Sequence, residues 1–327
     1  TKSPSHWHAW CSWIEDAEWT ADDSSVLALY PTSPRMRLVA AVDEKDDLIG
    51  SVVWSEYSDL ATIDFYILRP DSRGHGLGRV LWDTAIAAIP RSLTIQVRAV
   101  PSMACKYKSG ATPFEGGLMR LYTIPCSLLV TSSSTSDSSD SDKEQTPVRY
   151  ELVESANSPL IDQLVQYDLS VTRRNRSDLI TSIIAQKLST VIVALNHENK
   201  VIGYAAASSA ARSEKRIFKI APIFADSSVI SRHLLLKLAS HIIHHSVHHP
   251  TSVEATLHLY IPAMSIGESM IERVLHSASS SSSPTPSPSL SFSVEDSEVT
   301  LFSRPYTVHA DFARIYVPHN NSFHFDA

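Results

Sequence analysis

Residues 60–82 read LATIDFYILRPDSRGHGLGRVLW. The apolar run ends at Leu68 and Pro70 follows it, as at the end of a β-strand. Helical spacing then begins at about Gly76 and stops at Pro90. A loop that joins a strand to a helix directs backbone N–H groups and the positive end of the helix toward one point. Such a point binds phosphate.

Three glycines, Gly74, Gly76 and Gly78, lie in this loop. Glycine leaves room for a diphosphate to approach the amides and permits a positive φ. A dinucleotide-binding loop would need a further glycine where Arg79 stands, and a P-loop would end in Gly-Lys-Ser or Gly-Lys-Thr. The sequence therefore predicts a phosphate-binding loop of a different class.

The plan of the chain is repeated. Residues 38–50 read strand, polar turn, strand, and residues 191–203 read the same way at an offset of 153 residues. To within one residue, the offset also matches Pro70 with Pro222, each predicted to close an apolar strand. We expect the chain to contain two copies of one fold, with helices that flank a mixed α/β sheet.

Composition suggests where the chain divides. Residues 131–147 are rich in Ser and Asp, and residues from about 277 to 291 are rich in Ser and Pro. Neither segment can bury enough apolar surface to offset its ordering entropy. We predict a first domain at 1–130, a linker at 131–147, and a second domain at 148–327 that carries the Ser/Pro-rich insertion.

Within the first half we expect a helix whose tryptophans, Trp7, Trp10 and Trp13, pack in the core. The predicted elements that follow are a hairpin (37–42 and 48–57), a strand (62–68), the helix after the loop (76–89), a strand (93–100), a short helix (102–108) and a closing strand (118–124).

Charge and cysteine content exclude several classes of protein. The 327 residues carry a net charge of −7, so the basic excess that nucleic-acid binding requires is absent. Apolar runs are strand-sized and far short of the roughly 20 residues that cross a bilayer. Three cysteines cannot form a disulfide framework. We expect a cytoplasmic protein that binds neither membrane nor nucleic acid.

Arg73, Gly76 and Gly78 after Pro70 resemble the acyl-CoA-binding signature of the GNAT (GCN5-related) N-acetyltransferase superfamily. That signature is Arg or Gln, two residues, Gly, one residue, and Gly or Ala. The resemblance covers most of residues 35–125. Ala104, Tyr107 and Gly110 look like the next motif of the superfamily, although only two residues separate Tyr107 from Gly110.

The resemblance implies that the first half transfers an acetyl group from acetyl-CoA, as co-substrate, directly to a primary amine without a metal. The pantetheine arm would follow the strand end and the pyrophosphate would rest on the loop amides. Tyr107 would be the acid that protonates the leaving sulfur, or else a packing residue. The residues expected to contact CoA are Ile67, Leu68, Arg73, Gly74, His75, Gly76, Leu77, Gly78 and Arg79.

A base is needed, because an alkyl ammonium of pKa about 10.4 is almost entirely protonated at pH 7. Strand alternation puts Asp64 on one face with Thr62 and Tyr66, opposite Ile63, Phe65 and Ile67. Asp64 is the first candidate for the base, with a purely structural role equally open. Glu56 is the second candidate.

The second half is expected to lack the CoA loop. The offset places Asp226 at the position of Arg73, and Ser227, Val229 and Ser231 at the three glycines. The run IAPIFAD at 220–226 resembles a divergent acetyltransferase-like domain found as the C-terminal half of tandem GNAT proteins. Such a domain would support substrate selection or dimerisation.

Two other functions stay open: an acyl-CoA sensor without turnover, and an interaction module. The amine could be a metabolite, a polyamine, a peptide terminus or a lysine. Two clusters in the second half are each expected to be a solvated helix end. The first could instead bind an anion; it contains Arg173, Arg174 and Arg176. The second could instead bind a metal ion; it contains His241, His244, His245, His248 and His249.

Overall fold

The computed structural model describes residues 3–16, 24–133, 147–210, 216–246, 254–280 and 291–319. The first half contains α1 (Pro4–Asp16), α2 (Ser24–Leu29), β1 (Met36–Val42), β2 (Leu48–Glu56), β3 (Leu60–Leu68), α3 (Leu77–Ala88), β4 (Thr94–Ala99), α4 (Pro101–Lys108), β5 (Phe114–Pro125) and α5 (Cys126–Ser133). The second half contains β6 (Arg149–Leu152), α6 (Leu160–Thr172), α7 (Ser177–Ala185), β7 (Ser189–Leu195), β8 (Val201–Ser209), β9 (Ile217–Ala225), α8 (Ser228–Ser246), β10 (Thr256–Pro262), α9 (Ile266–Ser280), β11 (Ser293–Phe302) and β12 (Ile315–Val317). Most of the predicted linker and of the Ser/Pro-rich insertion lies outside the described residues, and the domain boundaries stay a prediction.

All the described strands join one sheet, in the order β1-β2-β3-β4-β11-β5-β10-β9-β8-β7-β6, and β12 pairs with β9. The pairs β3–β4 and β9–β10 are parallel, while their neighbours are antiparallel. The predicted mixed α/β sheet is confirmed.

β5 and β11 are exchanged between the halves. β11 lies between β4 and β5, β5 lies between β11 and β10, and Glu298 stands opposite Met119 where β5 and β11 pair. Ile124 of β5 packs in the core of the second half, and Leu301 of β11 packs in the core of the first. This strand exchange means that each half completes its sheet with a strand from the other.

The predicted repeat holds for two strands and shifts at the third. Both bounds of β1 and β7, and both bounds of β2 and β8, differ by 153 residues. In the third strand the register changes, because Gly50 pairs with Leu68 whereas Gly203 pairs with Ala225. Pro222 therefore lies inside β9, and the prediction that it closes the strand as Pro70 does is wrong.

Helices cover both faces of the first half's sheet. Trp7 and Trp10 of α1 are buried against Tyr30 and Phe65 on one face, as predicted for a core helix. Leu81 and the rest of the apolar side of α3 pack on the other face. The α1 cluster also takes up Leu179 and Ile183 of α7, so it joins the two halves.

Of the three arginines in the predicted basic patch, Arg173 is exposed at the C-cap of α6, whereas Arg174 and Arg176 form ion pairs. Arg174 donates to Asp59 of the first half over 2.6 Å, and the Tyr306 hydroxyl donates to the same carboxylate over 2.7 Å. We call Asp59, Arg174 and Tyr306 the Asp59 clasp. Arg176 is buried in an ion pair with Asp168. Sequence reasoning missed these partners because they lie on other elements.

The histidine cluster forms no metal site among the described residues. His241 and His245 have their rings 4.0 Å apart on α8, while His248 and His249 lie outside the described part of the chain. In the described ranges, no helix has the length and apolar character that crossing a bilayer demands.

Candidate active site

A cleft opens in the first half where two parallel strands separate. β3 and β4 are paired only from Leu60–Thr94 to Ile63–Val97. Beyond that point both strands line a cleft of about 810 Å³, which extends to the loop before α3. The parallel pair β9–β10 of the second half likewise ends at Leu259 and Ile220.

A bulge in β3 places the side chains at the mouth of this cleft. Val53 pairs with Phe65 but Trp54 pairs with Ile63, so Asp64 is the extra residue. Phe65 packs against Trp10 and Tyr30, whereas Ile63 and Tyr66 pack with the α3 cluster. The strict alternation expected for residues 62–67 is therefore wrong, because a bulge brings two consecutive side chains to one face.

The loop before α3 is open to solvent. Gly74 and Gly76 are exposed and have φ values of 84° and 82°, in the left-handed region that glycine enters without strain. A Cβ on either would meet no atom within 4 Å, so backbone conformation and ligand access, rather than packing, favour glycine there. Gly76 is the N-cap of α3, whose positive end faces the loop.

Gly78 is a glycine for another reason. A Cβ at Gly78 would overlap the Tyr66 hydroxyl. The Tyr66 ring leans on Trp82 of α3, with 5.6 Å between their centroids. Gly78 therefore lets β3 and α3 approach at the cleft.

Seven of the nine predicted CoA contacts line the cleft: Ile67, Leu68, Arg73, Gly74, Gly76, Gly78 and Arg79. His75 is exposed in the loop, and Leu77 packs against the α3 cluster. Arg73 donates from Nε to the Leu68 carbonyl over 3.0 Å, which holds the loop to the strand end.

Tyr107 also lines the cleft, near the end of α4. Its ring lies 4.9 Å from that of Trp82, and burial, with a smaller contribution from Tyr66, raises its pKa to about 12. Tyr107 therefore keeps its proton at neutral pH and has one to donate, although its raised pKa makes it a weaker acid than an exposed tyrosine.

The two predicted bases have different surroundings. Asp64 lines the cleft and accepts a hydrogen bond of 2.5 Å from the Tyr30 hydroxyl. Glu56 binds Trp54 Nε1 at 3.0 Å and Arg37 at 2.9 Å, and it does not line the cleft. The structure gives Glu56 a stabilising role in β2.

The cleft also contains residues of the second half that sequence reasoning missed. Tyr260 of β10, with Ser297 and Glu298 of β11, lines it together with Arg98 of β4. Burial raises the pKa of Glu298, although Arg98 and Lys219 oppose the shift. No spacing in the sequence links these residues to the loop, since only the strand exchange brings them there.

The second half has lost the loop by shortening. β9 ends at Ala225 and α8 begins at Ser228, whereas residues 69–76 separate β3 from α3. The Asp226 amide donates to Ile202 as the Arg69 amide donates to Ile49, so the match of Asp226 with Arg73 is wrong. By register, Asp64 corresponds to Ala221. The second half therefore lacks both the phosphate loop and the carboxylate.

Sequence models of one family match both halves. The acetyltransferase (GNAT) family matches residues 6–102, which contain the cleft strands and the loop, and an acetyltransferase (GNAT) domain matches residues 164–258. The chain belongs to the GNAT acetyltransferase family. The predicted tandem arrangement is confirmed, and the family places this GNAT protein among the N-acyltransferases.

Related proteins extend over the whole tandem GNAT chain. An uncharacterised protein of Caenorhabditis elegans is 32% identical over 324 residues, which span 98% of this chain and 94% of that protein. A tandem GNAT protein from the clavulanic acid biosynthesis pathway is 13% identical, has a TM-score of 0.56, and is covered to 96%, with 92% of this chain matched. A GCN5-related N-acetyltransferase from Sphaerobacter thermophilus is 12% identical, has a TM-score of 0.50, and each chain is covered to 92%. The two solved structures share the fold of this chain.

Proposed function

We propose that the first half transfers an acetyl group from acetyl-CoA to a primary amine by direct attack, and that the second half has no CoA site of its own. The observation that carries this proposal is the cleft between β3 and β4, which meets an exposed, glycine-rich loop at the start of a helix.

The residues present fit acetyl-CoA. The loop amides near Gly74 and Gly76 would hold the pyrophosphate, and Arg73 and Arg79 add positive charge beside it. The backbone of Ile67 and Leu68 would bind the pantetheine arm, because this part of β3 is no longer paired with β4. When bound, acetyl-CoA supplies an acetyl group on a sulfur leaving group.

The reaction also requires that a proton be removed from the amine and that one be supplied to the leaving sulfur. Supplying a neutral amine at pH 7 costs about 4–5 kcal/mol unless a base removes the proton. Asp64 lies in the cleft and could accept it, and Tyr107 can protonate the departing sulfur. A covalent route through Cys105 is disfavoured, since Cys105 is exposed on α4 and no histidine is among the described cleft residues.

The experiment compares the N-cap of α3 in the first half with the first residue of α8 in the second half. Gly76→Glu places a carboxylate in the loop, so acetyl-CoA affinity and amine acetylation should fall at least 30-fold. Gly76→Ala carries the same backbone strain without charge and separates the two effects. Ser228→Glu, at the start of α8, is the matched control and should leave both measurements within twofold.

Titration calorimetry with acetyl-CoA and a transfer assay over a panel of amines give the readouts. If Ser228→Glu abolishes binding and Gly76→Glu does not, the site has been assigned to the wrong half. Tight binding by the wild type without transfer to any amine would instead support the acyl-CoA sensor. Wild-type protein that does not bind acetyl-CoA would leave only the interaction module.

A further inference from the structure

The second half contributes a carboxylate to the wall of the cleft. One oxygen of this carboxylate makes no hydrogen bond among the described residues. Glu298 lies on β11, the exchanged strand, at the point where it stands opposite Met119. Its atom Oε2 is shielded from water and has no hydrogen-bond partner among the described residues. A shielded acceptor without a donor destabilises the fold, typically by about 1–3 kcal/mol, and a donor that enters the cleft would remove that cost.

The other carboxylate of the cleft is already engaged. Oδ2 of Asp64 accepts the hydrogen bond from Tyr30. Of these two cleft carboxylates, Asp64 is held by a hydrogen bond from the first half, whereas Glu298 has a shielded oxygen without a hydrogen-bond donor among the described residues. The ammonium group of an acceptor amine is a donor of the right charge.

The charged groups that act on Glu298 lie on two strands, β4 and β9. Arg98 of β4 and Lys219 of β9 face it and favour its ionised form, and Tyr260 of β10 lines the same cleft. His258 beside Lys219 has a pKa lowered to about 4 by burial and by that lysine, so it adds no charge at neutral pH. Burial outweighs the two cations and holds the carboxyl above its ordinary pKa, closer to that of an amine.

We propose that Glu298, delivered by the second half, is the group that takes the proton from a cationic primary amine bound in the cleft of the first half. This inference rests on the proposed function and replaces Asp64 as the base. Asp64, which lines the same cleft, then orients the amine.

One N–H bond of the ammonium breaks and its proton goes to the Glu298 carboxylate, then to water. The freed electron pair of nitrogen forms the bond to the acetyl carbon, and the carbon–sulfur bond breaks with its pair on sulfur. Sulfur receives the Tyr107 proton, and Tyr107 is reprotonated by the second proton that the nitrogen loses.

Glu298→Gln keeps the shape of the side chain and removes the base. We expect kcat/KM for amine acetylation at pH 7 to fall about a hundredfold and the rise of the rate with pH to disappear. The acetyl-CoA dissociation constant should stay within twofold. Glu295→Gln, on an exposed residue of the same strand, is the matched control and should keep the wild-type rate.

A second readout does not need turnover. In protein labelled with ¹³C at the glutamate carboxyl carbons, the signal missing from Glu298→Gln identifies Glu298. We expect that signal to titrate at a higher pH than those of the exposed glutamates and to shift when butylamine is added as a probe. If Glu298→Gln does not fold, Glu298→Asp replaces it, with an expected tenfold loss because the carboxylate is withdrawn by one methylene.

Each outcome decides something. A Glu298→Gln protein that keeps at least half the wild-type rate overturns the assignment of Glu298 and leaves the proposed acetyltransferase intact. A wild type that binds acetyl-CoA but acetylates no amine overturns the proposed function and this inference together. A Glu298 signal that ignores butylamine at every pH also overturns the inference.

Discussion

Gly78 and Tyr66 form a contact that links the loop to the cleft at the scale of single residues. The Tyr66 hydroxyl occupies the place where any Cβ on Gly78 would lie, while the ring beside it packs on Trp82. Gly78→Ala should therefore displace the Tyr66 ring and lower the free energy of unfolding by about 1–2 kcal/mol, despite the better helix propensity of alanine.

Tyr66→Phe removes the clashing oxygen and should restore at least half of that loss in the double variant. Urea unfolding of the four proteins gives the coupling energy. Additive effects of the two substitutions would show that the contact does not explain the glycine.

Tyr107 is a second residue whose role can be tested by pH. Because its pKa is raised to about 12, it keeps its proton throughout pH 6–9. Tyr107→Phe should lower kcat roughly 10- to 100-fold at every pH in that range and leave the shape of the pH profile unchanged. Steady-state kinetics provide the measurement. A full rate in Tyr107→Phe would mean that the ring only packs against Trp82.

At the scale of elements, α6 is anchored by a buried ion pair. Asp168 accepts from Arg176 Nε over 3.0 Å and from the Tyr204 hydroxyl over 2.5 Å, and both charged side chains are almost fully buried. Asp168→Ala leaves the Arg176 charge unpaired inside the protein and should cost about 3–5 kcal/mol of stability. Asp162→Ala, at an exposed position in the first turn of α6, should cost less than about 1 kcal/mol. Guanidinium unfolding compares them, and equal losses would contradict the prediction.

The elements also show what local sequence can predict. β1, β2 and their copies β7 and β8 follow from alternation and a polar turn, and their bounds keep the predicted offset. The third strand departs from it because four more residues separate β8 from β9 than separate β2 from β3, which moves the register of β9 against β8. An offset fixed on a hairpin carries no information about an insertion that follows it.

At the scale of the whole molecule, the Asp59 clasp joins the halves. Burial raises the pKa of Asp59, but hydrogen bonds from Arg174 and Tyr306 outweigh it and leave that pKa below its ordinary value. The ionised clasp therefore stabilises the fold above about pH 4, and the contribution is lost as pH falls through the lowered pKa.

Asp59→Asn should cost about 1–2 kcal/mol at pH 7, since the carboxylate is partly exposed while Arg174 is mostly buried, and less at pH 3. Urea unfolding at the two pH values measures the difference. Asp83→Asn, which breaks an exposed ion pair with Arg79 within α3, should change stability by less than about 0.5 kcal/mol at either pH. An Asp59→Asn loss that is independent of pH would exclude the clasp as its source.

The phosphate-binding loop of the candidate site could be predicted from sequence because its residues are contiguous and because glycine marks positions where the backbone needs a positive φ or close access. Tyr107 could be reached through a motif of the family. Glu298 could not, because its approach to the cleft depends on strand order in a sheet built from both halves. Alternation gives the wrong side-chain directions around Asp64 for a related reason. An extra residue in one strand becomes visible only when its pairing with the neighbouring strand is known.

The strand exchange has a consequence for biosynthesis. The edge of β4 receives its neighbour only when residues 293–302 have been translated, roughly 10–40 s after β4 itself at 5–20 residues per second. During that interval the nascent chain presents an unsatisfied strand edge on the ribosome, which can associate with other polypeptides. We therefore expect cotranslational chaperones to act on this chain until β11 emerges.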